Sequence, residues 1–264
     1  CPENSKPRIR GNAGLEVTPE YLESTIRFLN QNDYEIVSMT RASQILKTGN
    51  IDKKFVVFTF DDGYIDHFTN VFPILEEKGI QGCFFPPAKA ILQQEVLNVN
   101  KIHFLLASAL KIHDLIQDLN RCLDKYRSEY SLESNDYYFS KLAKAGQMDT
   151  KEVVFVKMML QEELEETLRN MIVGELFRKY VSNDEEAFSR ELYASVDQLQ
   201  CMARNGMYIG GHGYNHYRMN TLPAEMLEKE IDMTLLFLKE RVRVSTDNWV
   251  MCYPYGAYDD SSIE

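Results

Sequence analysis

Residues 53–60, KKFVVFTF, form an apolar and β-branched run that stops at two adjacent carboxylates, Asp61 and Asp62, followed by Gly63. A run this apolar reads as a strand covered on both faces, which is the condition of strands in parallel sheets, and parallel strands must be joined through crossover helices. The chain beyond it complies. HFTNVFPILEEKG is helix-like up to Gly79, and QGCFFPPA is a second buried strand stopped by Pro86 and Pro87, so the segment reads as a βαβ unit. Upstream, Thr18 and Pro19 open a predicted helix of about three turns, with Tyr21, Leu22, Ile26 and Leu29 at helical spacing. YEIVSM then reads as a short strand and RASQIL as a helical turn.

From about Leu97 to Gly206 long amphipathic segments replace this alternation. They predict one helix over 100–126, a second and interrupted one over 150–181, and a third from Asn183 to Asn205, with Glu186 placed for a capping box and Gly206 ending it. Alternation then returns. MYIGGHGYNH reads as a strand running into a polar loop, LPAEMLEKEIDMTLLFLKERVR as a helix with Pro223 in its first turn, and NWVMCYPYG as a strand ended by Pro254 and Gly256. The 264 residues are therefore read as a single domain, 1–264, of α/β class with a helical insertion at about 97–205. The abrupt end at DDSSIE raises the expectation of a fold continuing past residue 264. The start at Cys1 suggests a removed upstream segment, with a lipid-modified Cys1 as the sharper alternative.

Charge and cysteines exclude some partners. Lys and Arg number 29 against 40 Asp and Glu, and a formal charge of −11 disfavours holding nucleic acid through its phosphates. Five widely spaced cysteines without a Cys-x-x-Cys pair argue against a disulfide framework or a zinc site built from cysteines. That usage favours a reducing, cytoplasmic setting, with an exported or envelope-associated one as the alternative. No stretch approaches the ~20 apolar residues of a membrane span.

Three predicted strand ends carry chemistry: Asp61-Asp62-Gly63-Tyr64, His212-Gly213-Tyr214-Asn215-His216 and Tyr253-Pro254-Tyr255-Gly256. In parallel α/β folds the loops at the C-terminal ends of strands converge on the active site. Adjacent strand residues point to opposite faces, so Asp61 and Asp62 reach one site only if the backbone leaves extended geometry, which Gly63 permits. Converged carboxylates can divide the work, one holding a cation and the other accepting a proton. His212 and His216, four apart, are expected on one side of a helical turn, where two imidazoles and a carboxylate form an open site for zinc, or for iron, cobalt or nickel. The plainer alternatives are loop histidines bonded to backbone and an aspartate pair capping a helix.

TFDDGY, HGYNH and YPYG, in this order, resemble the first three motifs of the NodB-like polysaccharide deacetylases, carbohydrate esterase family 4. The resemblance covers roughly residues 14–96 and 205–258 and leaves the insertion outside. It implies an irregular (β/α)7-type barrel and a metal-dependent hydrolase that removes N-acetyl groups from amino sugars in a glycan, oligosaccharide or glycolipid. By the same match Asp61 is the catalytic base. Asp62, His212 and His216 hold a divalent metal, with zinc favoured, and the Tyr255 amide faces the oxyanion. Tyr64, Tyr214 and Pro254 are the candidate substrate-binding residues. The rival readings are a catalytically silent carbohydrate-binding scaffold and an amidohydrolase acting on a non-sugar amide or imide.

The sequence departs from the family pattern in three places. No histidine follows His216 to serve as the acid of the late Leu-x-His motif, there is no Asp-x-x-Asp-Trp motif, and Cys252 stands where the family has an arginine two residues before Pro254. His103 in VNKIHFLL is the candidate substitute acid. His67 and His113 are expected to stand outside the site.

Overall fold

The computed structural model describes residues 17–49, 51, 53–146 and 149–262; expectations about Cys1 lie outside them. By their contacts these residues divide into two compact units, one made of Val17–Glu95 with the chain from Ser189 onward, the other of Val96–Phe188.

The first unit is built on parallel strands, as the apolar runs predict. β1 (Glu35–Ile36) pairs with β2 (Phe55–Val56), and β3 (Phe58–Asp61), β4 (Gly82–Phe85) and β5 (Tyr208–Ile209) form a second set in that order. Among the described residues these strands do not close into a barrel. The expected single strand over 53–60 is two, because the chain changes partner at Val57, from β1 on one side to β4 on the other. Nor is β3 covered on both faces. Phe58 and Phe60 are half-buried while Thr59 and Asp61 are exposed, and it is β4, GCFF, that is buried throughout. NWVMCYPYG forms no strand, only one bridge between Met251 and Gly211. A Cβ on Gly211 would stand 2.9 Å from the Trp249 ring and 2.8 Å from Thr234 Cγ2, so this approach needs a residue without a side chain.

Helices form where the sequence caps them. The Thr18 hydroxyl accepts from Tyr21 N–H at 3.2 Å ahead of Pro19–Gln31. The helix after β3 starts as a π-helical turn, His67–Val71, before Phe72–Glu77, since Pro73 has no N–H to close an ordinary turn. Pro223 is the residue before the helix Ala224–Leu236 and not within it. The helix expected over 183–205 is broken into Glu185–Leu192 and Val196–Arg204. Ser195 caps the second piece reciprocally with Gln198, and Tyr193 makes a bridge to Tyr64. Val196–Arg204 packs on β5, so this part of the expected insertion belongs by its contacts to the first unit. The core of that unit gathers Leu22, Ile26, Leu75, Phe84, Met202, Ile209 and Phe237.

The second unit is helical throughout its described residues. The helix expected over 100–126 is two, Asn98–Ser108 and Ile112–Tyr126, and both pack on Glu166–Tyr180. A straight helix of that length would run about 40 Å, far past a fifteen-residue partner of about 22 Å, so the chain must turn back to bury both halves. Lys151–Met158, a π-helical turn Met159–Glu163 and Glu166–Tyr180 make up the interrupted second segment, and Asn135–Leu142 is a further helix that the pattern did not reveal. Leu105, Leu115, Leu119, Phe155, Ile172 and Leu176 fill the interior.

Candidate metal centre

β3 ends at Asp61, and the next two residues leave extended geometry: Asp62 has φ 68° and Gly63 φ 64°. At Gly63 a Cβ would meet Pro86 Cβ at 3.0 Å, so glycine serves both the left-handed turn and the close approach of the loop after β4. This turn aims Asp62 at the two histidines while Asp61 stays exposed beside them. The expected departure from extended backbone occurs at these two residues.

His212 and His216 follow β5, but no helical turn carries them. The segment is a loop in which Gly213 has φ 72° and His216 φ 62°. Ring centroids are 4.7 Å apart, and the two residues are 3% and 7% exposed. What holds the loop is Glu230, a buried residue of the helix Ala224–Leu236 that the sequence did not single out. Its Oε2 accepts from Tyr214 N–H at 3.0 Å and Asn215 N–H at 2.8 Å, and its Oε1 accepts from the Asn215 side-chain amide. His212 Nδ1 donates to the Cys252 carbonyl at 2.7 Å, which leaves Nε2 facing Asp62. A residue this long past the loop leaves no local periodic signal, and neither does a backbone carbonyl forty residues away.

Asp62 Oδ1 lies 3.5 Å from His212 Nε2 and 3.3 Å from His216 Nε2. Donors on one tetrahedral cation with bonds of ~2.0–2.1 Å stand ~3.3–3.4 Å apart. One carboxylate and two buried imidazoles at that spacing, with one imidazole oriented from behind by a carbonyl, fit a divalent cation. Left to one another, the three groups share charge. Burial works to raise the Asp62 pKa, but hydrogen bonds and charge from His212 and His216 outweigh it and hold the carboxyl well below its ordinary range. Burial likewise works against a charged His212, yet its bonds to Asp62 and Cys252 carry it up to about 10, whereas burial keeps His216 below its ordinary value. The bonds to Asp62 and Cys252 therefore favour the proton-bearing form of His212. Because the folded value lies above 6.5, this proton stabilises the cation-free fold fully below that pH, and the contribution fades as pH rises through about 10. Cation uptake must expel it, so at pH 6 loading is expected to release about one proton per ion, with affinity rising about tenfold per pH unit. Titration in weak buffer with a pH indicator measures this, and uptake without proton release would refute the assignment.

The remaining predicted residues surround this centre. Tyr255, in the 3₁₀ turn Pro254–Gly256, has φ 60°; its ring meets the His216 ring edge-on at 4.9 Å and carries the Arg218 guanidinium over it at 4.7 Å. Left-handed backbone at non-glycine residues costs about 1–3 kcal/mol each, and Asp62, His216 and Tyr255 all adopt it here. Pro254 is buried. Tyr64, half-buried, stacks near Tyr193 at 6.1 Å, and the Tyr214 hydroxyl accepts from Gln93 at 3.1 Å. His67 packs among Phe60, Tyr64 and Phe84, its Nδ1 without a hydrogen-bond partner and its pKa lowered to about 4 by burial. His103 lies in Asn98–Ser108 of the helical unit, and His113 pairs with Gln117.

Comparison with known proteins bears on the same segments. A Bacillus subtilis (strain 168) protein, YxkH, named as a polysaccharide deacetylase, is 32% identical over 84 residues, which is 31% of this chain and 30% of that protein. The chain thus spans under a third of that relative's length. Among solved structures, the deacetylase PplD of Streptococcus pyogenes in complex with acetate aligns over 98% of this chain and 72% of its own, with a TM-score of 0.55 at 14% identity. IcaB from Ammonifex degensii aligns over 97% and 74%, with a TM-score of 0.52 at 14% identity. Both likenesses concern the fold, and they bring this α/β chain of short parallel strands into one class with those structures. The model of the polysaccharide deacetylase family matches residues 48–116 and 172–264, more than half of the chain and every residue of the centre from Asp61 to Tyr255, and the chain belongs to that family.

Proposed function

We propose that this chain is a metal-dependent N-deacetylase acting on N-acetylated amino sugars in a glycan, oligosaccharide or glycolipid. The observation that carries this is the Asp62–His212–His216 spacing with Asp61 beside it. On this reading residues 1–264 act as a single NodB-like domain whose short parallel strands derive from an irregular (β/α)7-type barrel, with the helical chain of about 97–205 as its insertion. Zinc is the favoured ion; cobalt, nickel and iron suit the same donors. Widely spaced cysteines support a reducing, cytoplasmic setting, with export the alternative.

Asp62, His212 and His216 would hold the cation, which when bound supplies Lewis acidity toward an amide carbonyl and a more acidic water. Asp61, exposed and next to that carboxylate, takes the proton of the attacking water. The Cys252 carbonyl keeps His212 in the tautomer that offers Nε2. The Tyr255 N–H, set by its left-handed turn, donates to the oxyanion that develops on the acetamide. Tyr64 and Tyr214 offer ring area to a sugar, and Pro254 supports the turn at Tyr255 from its buried position. Acetate and an amine leave.

Release of acetate from N-acetylated chito-oligosaccharides, compared with opening of small cyclic imides, tests this. Acetate release from the sugars alone is expected. Imide opening without acetate release would make the chain an amidohydrolase of another class, and cation binding without either reaction would make it a silent carbohydrate-binding scaffold.

A further inference from the structure

Cys252 touches both halves of the centre. Its Sγ donates to Asp61 Oδ2 at 3.4 Å, its carbonyl accepts His212 Nδ1–H at 2.7 Å, and its N–H donates to the Gly211 carbonyl at 2.9 Å. Asp61, His212 and Cys252 each offer a donor atom, and these lie within 4.8 Å of one another, as do those of Asp62, His212 and His216. Two triads of cation donors therefore overlap, with His212 in common. Its Nδ1–H is given to a carbonyl, which only accepts, so Nε2 is the one nitrogen left to coordinate, and one nitrogen lone pair binds one ion. The triads are alternatives, and the nature of the cation chooses between them.

Bond lengths favour little rearrangement. A zinc-sized cation held at ~2.3 Å from a thiolate and ~2.0–2.2 Å from a carboxylate sets sulfur and oxygen about 3.5–3.7 Å apart at the tetrahedral angle, against 3.4 Å between Cys252 Sγ and Asp61 Oδ2. The second difference is chemical. Asp62 and His216 offer oxygen and nitrogen, whereas Cys252 adds sulfur, which selects polarisable ions. We propose that Asp61, His212 and Cys252 form a second cation position that captures thiophilic divalent ions such as cadmium, and that its occupation takes Asp61 from proton transfer and His212 from the Asp62–His216 cation together. The cation position stands on geometry alone; the inhibition rests on the deacetylase reading. In the binding step the Cys252 S–H bond breaks, a sulfur–metal bond forms, the proton passes to solvent, and no group changes oxidation state.

Cadmium or cobalt(II) titrated into the cation-free chain tests the position without turnover, because a thiolate–metal bond absorbs in the near ultraviolet by charge transfer. The background carries Cys1→Ser and Cys201→Ser. Cys83 and Cys122 compete poorly, since burial pushes their thiols up to about 12 and about 11. The band is expected in this background, lost in Cys252→Ser and retained in His216→Ala. A band indifferent to Cys252→Ser overturns the proposal. So does a band lost in His216→Ala, which would make Cys252 a fourth ligand of the Asp62 ion. In the zinc-loaded enzyme, the cadmium concentration that halves acetate release is expected to rise about tenfold or more in Cys252→Ser, and equal inhibition overturns the inhibitory role. If no form releases acetate while the band still depends on Cys252, the deacetylase reading fails and the cation position stands.

Discussion

Asp61→Asn is expected to reduce acetate release by about 10²–10⁴-fold while the protein keeps its cation, because asparagine preserves the shape of the side chain but cannot take a proton from water. The cation is retained because Asp62, His212 and His216, with the carbonyl that orients His212, are untouched. Cys252 Sγ–H can still donate to the asparagine oxygen, so the local packing survives. Turnover at saturating substrate and metal content on one preparation separate the two effects. His212→Ala, by contrast, is expected to lose both. Full activity in Asp61→Asn would remove this aspartate from the base role and with it the division of labour between the paired carboxylates.

Glu230→Ala is expected to be the most damaging substitution outside the donor set. It strands three donors near the centre, the Tyr214 and Asn215 N–H groups and the Asn215 side-chain amide. A fully buried donor left without a partner costs about 1–3 kcal/mol, and these part-buried ones cost less. The loop that bears both histidines loses its anchor, and cation affinity is expected to fall about 10–100-fold, the range seen when a group supporting a metal ligand is removed. Glu230→Gln should be far milder. Its amide oxygen can accept both backbone N–H groups while its NH₂ donates to an Asn215 side chain turned to present oxygen. Thermal unfolding and cation titration of the two variants, side by side, measure the contrast. Wild-type cation affinity in Glu230→Ala would mean the loop is held by something else.

Local chemistry made much of this legible in the sequence. Thr18 and Pro19 announce a helix start, and the apolar GCFF run announces a buried strand, because each depends on neighbours within a few residues. The Asp-Asp-Gly stop required a departure from extended backbone, and Asp62 and Gly63 make it. Where segments failed to read correctly, a distant partner had intervened. The strand over 53–60 divides because its first part pairs with β1 and its second with β4, the long helix over 100–126 folds back to share one partner, and the helix over 183–205 breaks where Tyr193 bridges Tyr64. Four-residue spacing suggested a helical turn at His212 and His216, but a loop whose N–H groups are taken by Glu230 brings the rings together with no helix at all.

The order of residues along the chain determined which side chains could hold a cation and accept a proton, since donor chemistry belongs to the residue and not to its surroundings. Tertiary structure alone decided their distances, the favoured proton-bearing form of His212, the grip of Glu230 on the histidine loop and the approach of Cys252 to Asp61. Each of those depends on groups 15 to 191 residues apart in sequence. Such pairs meet only when burial of the strands and helices between them offsets the entropy of closing so long a loop.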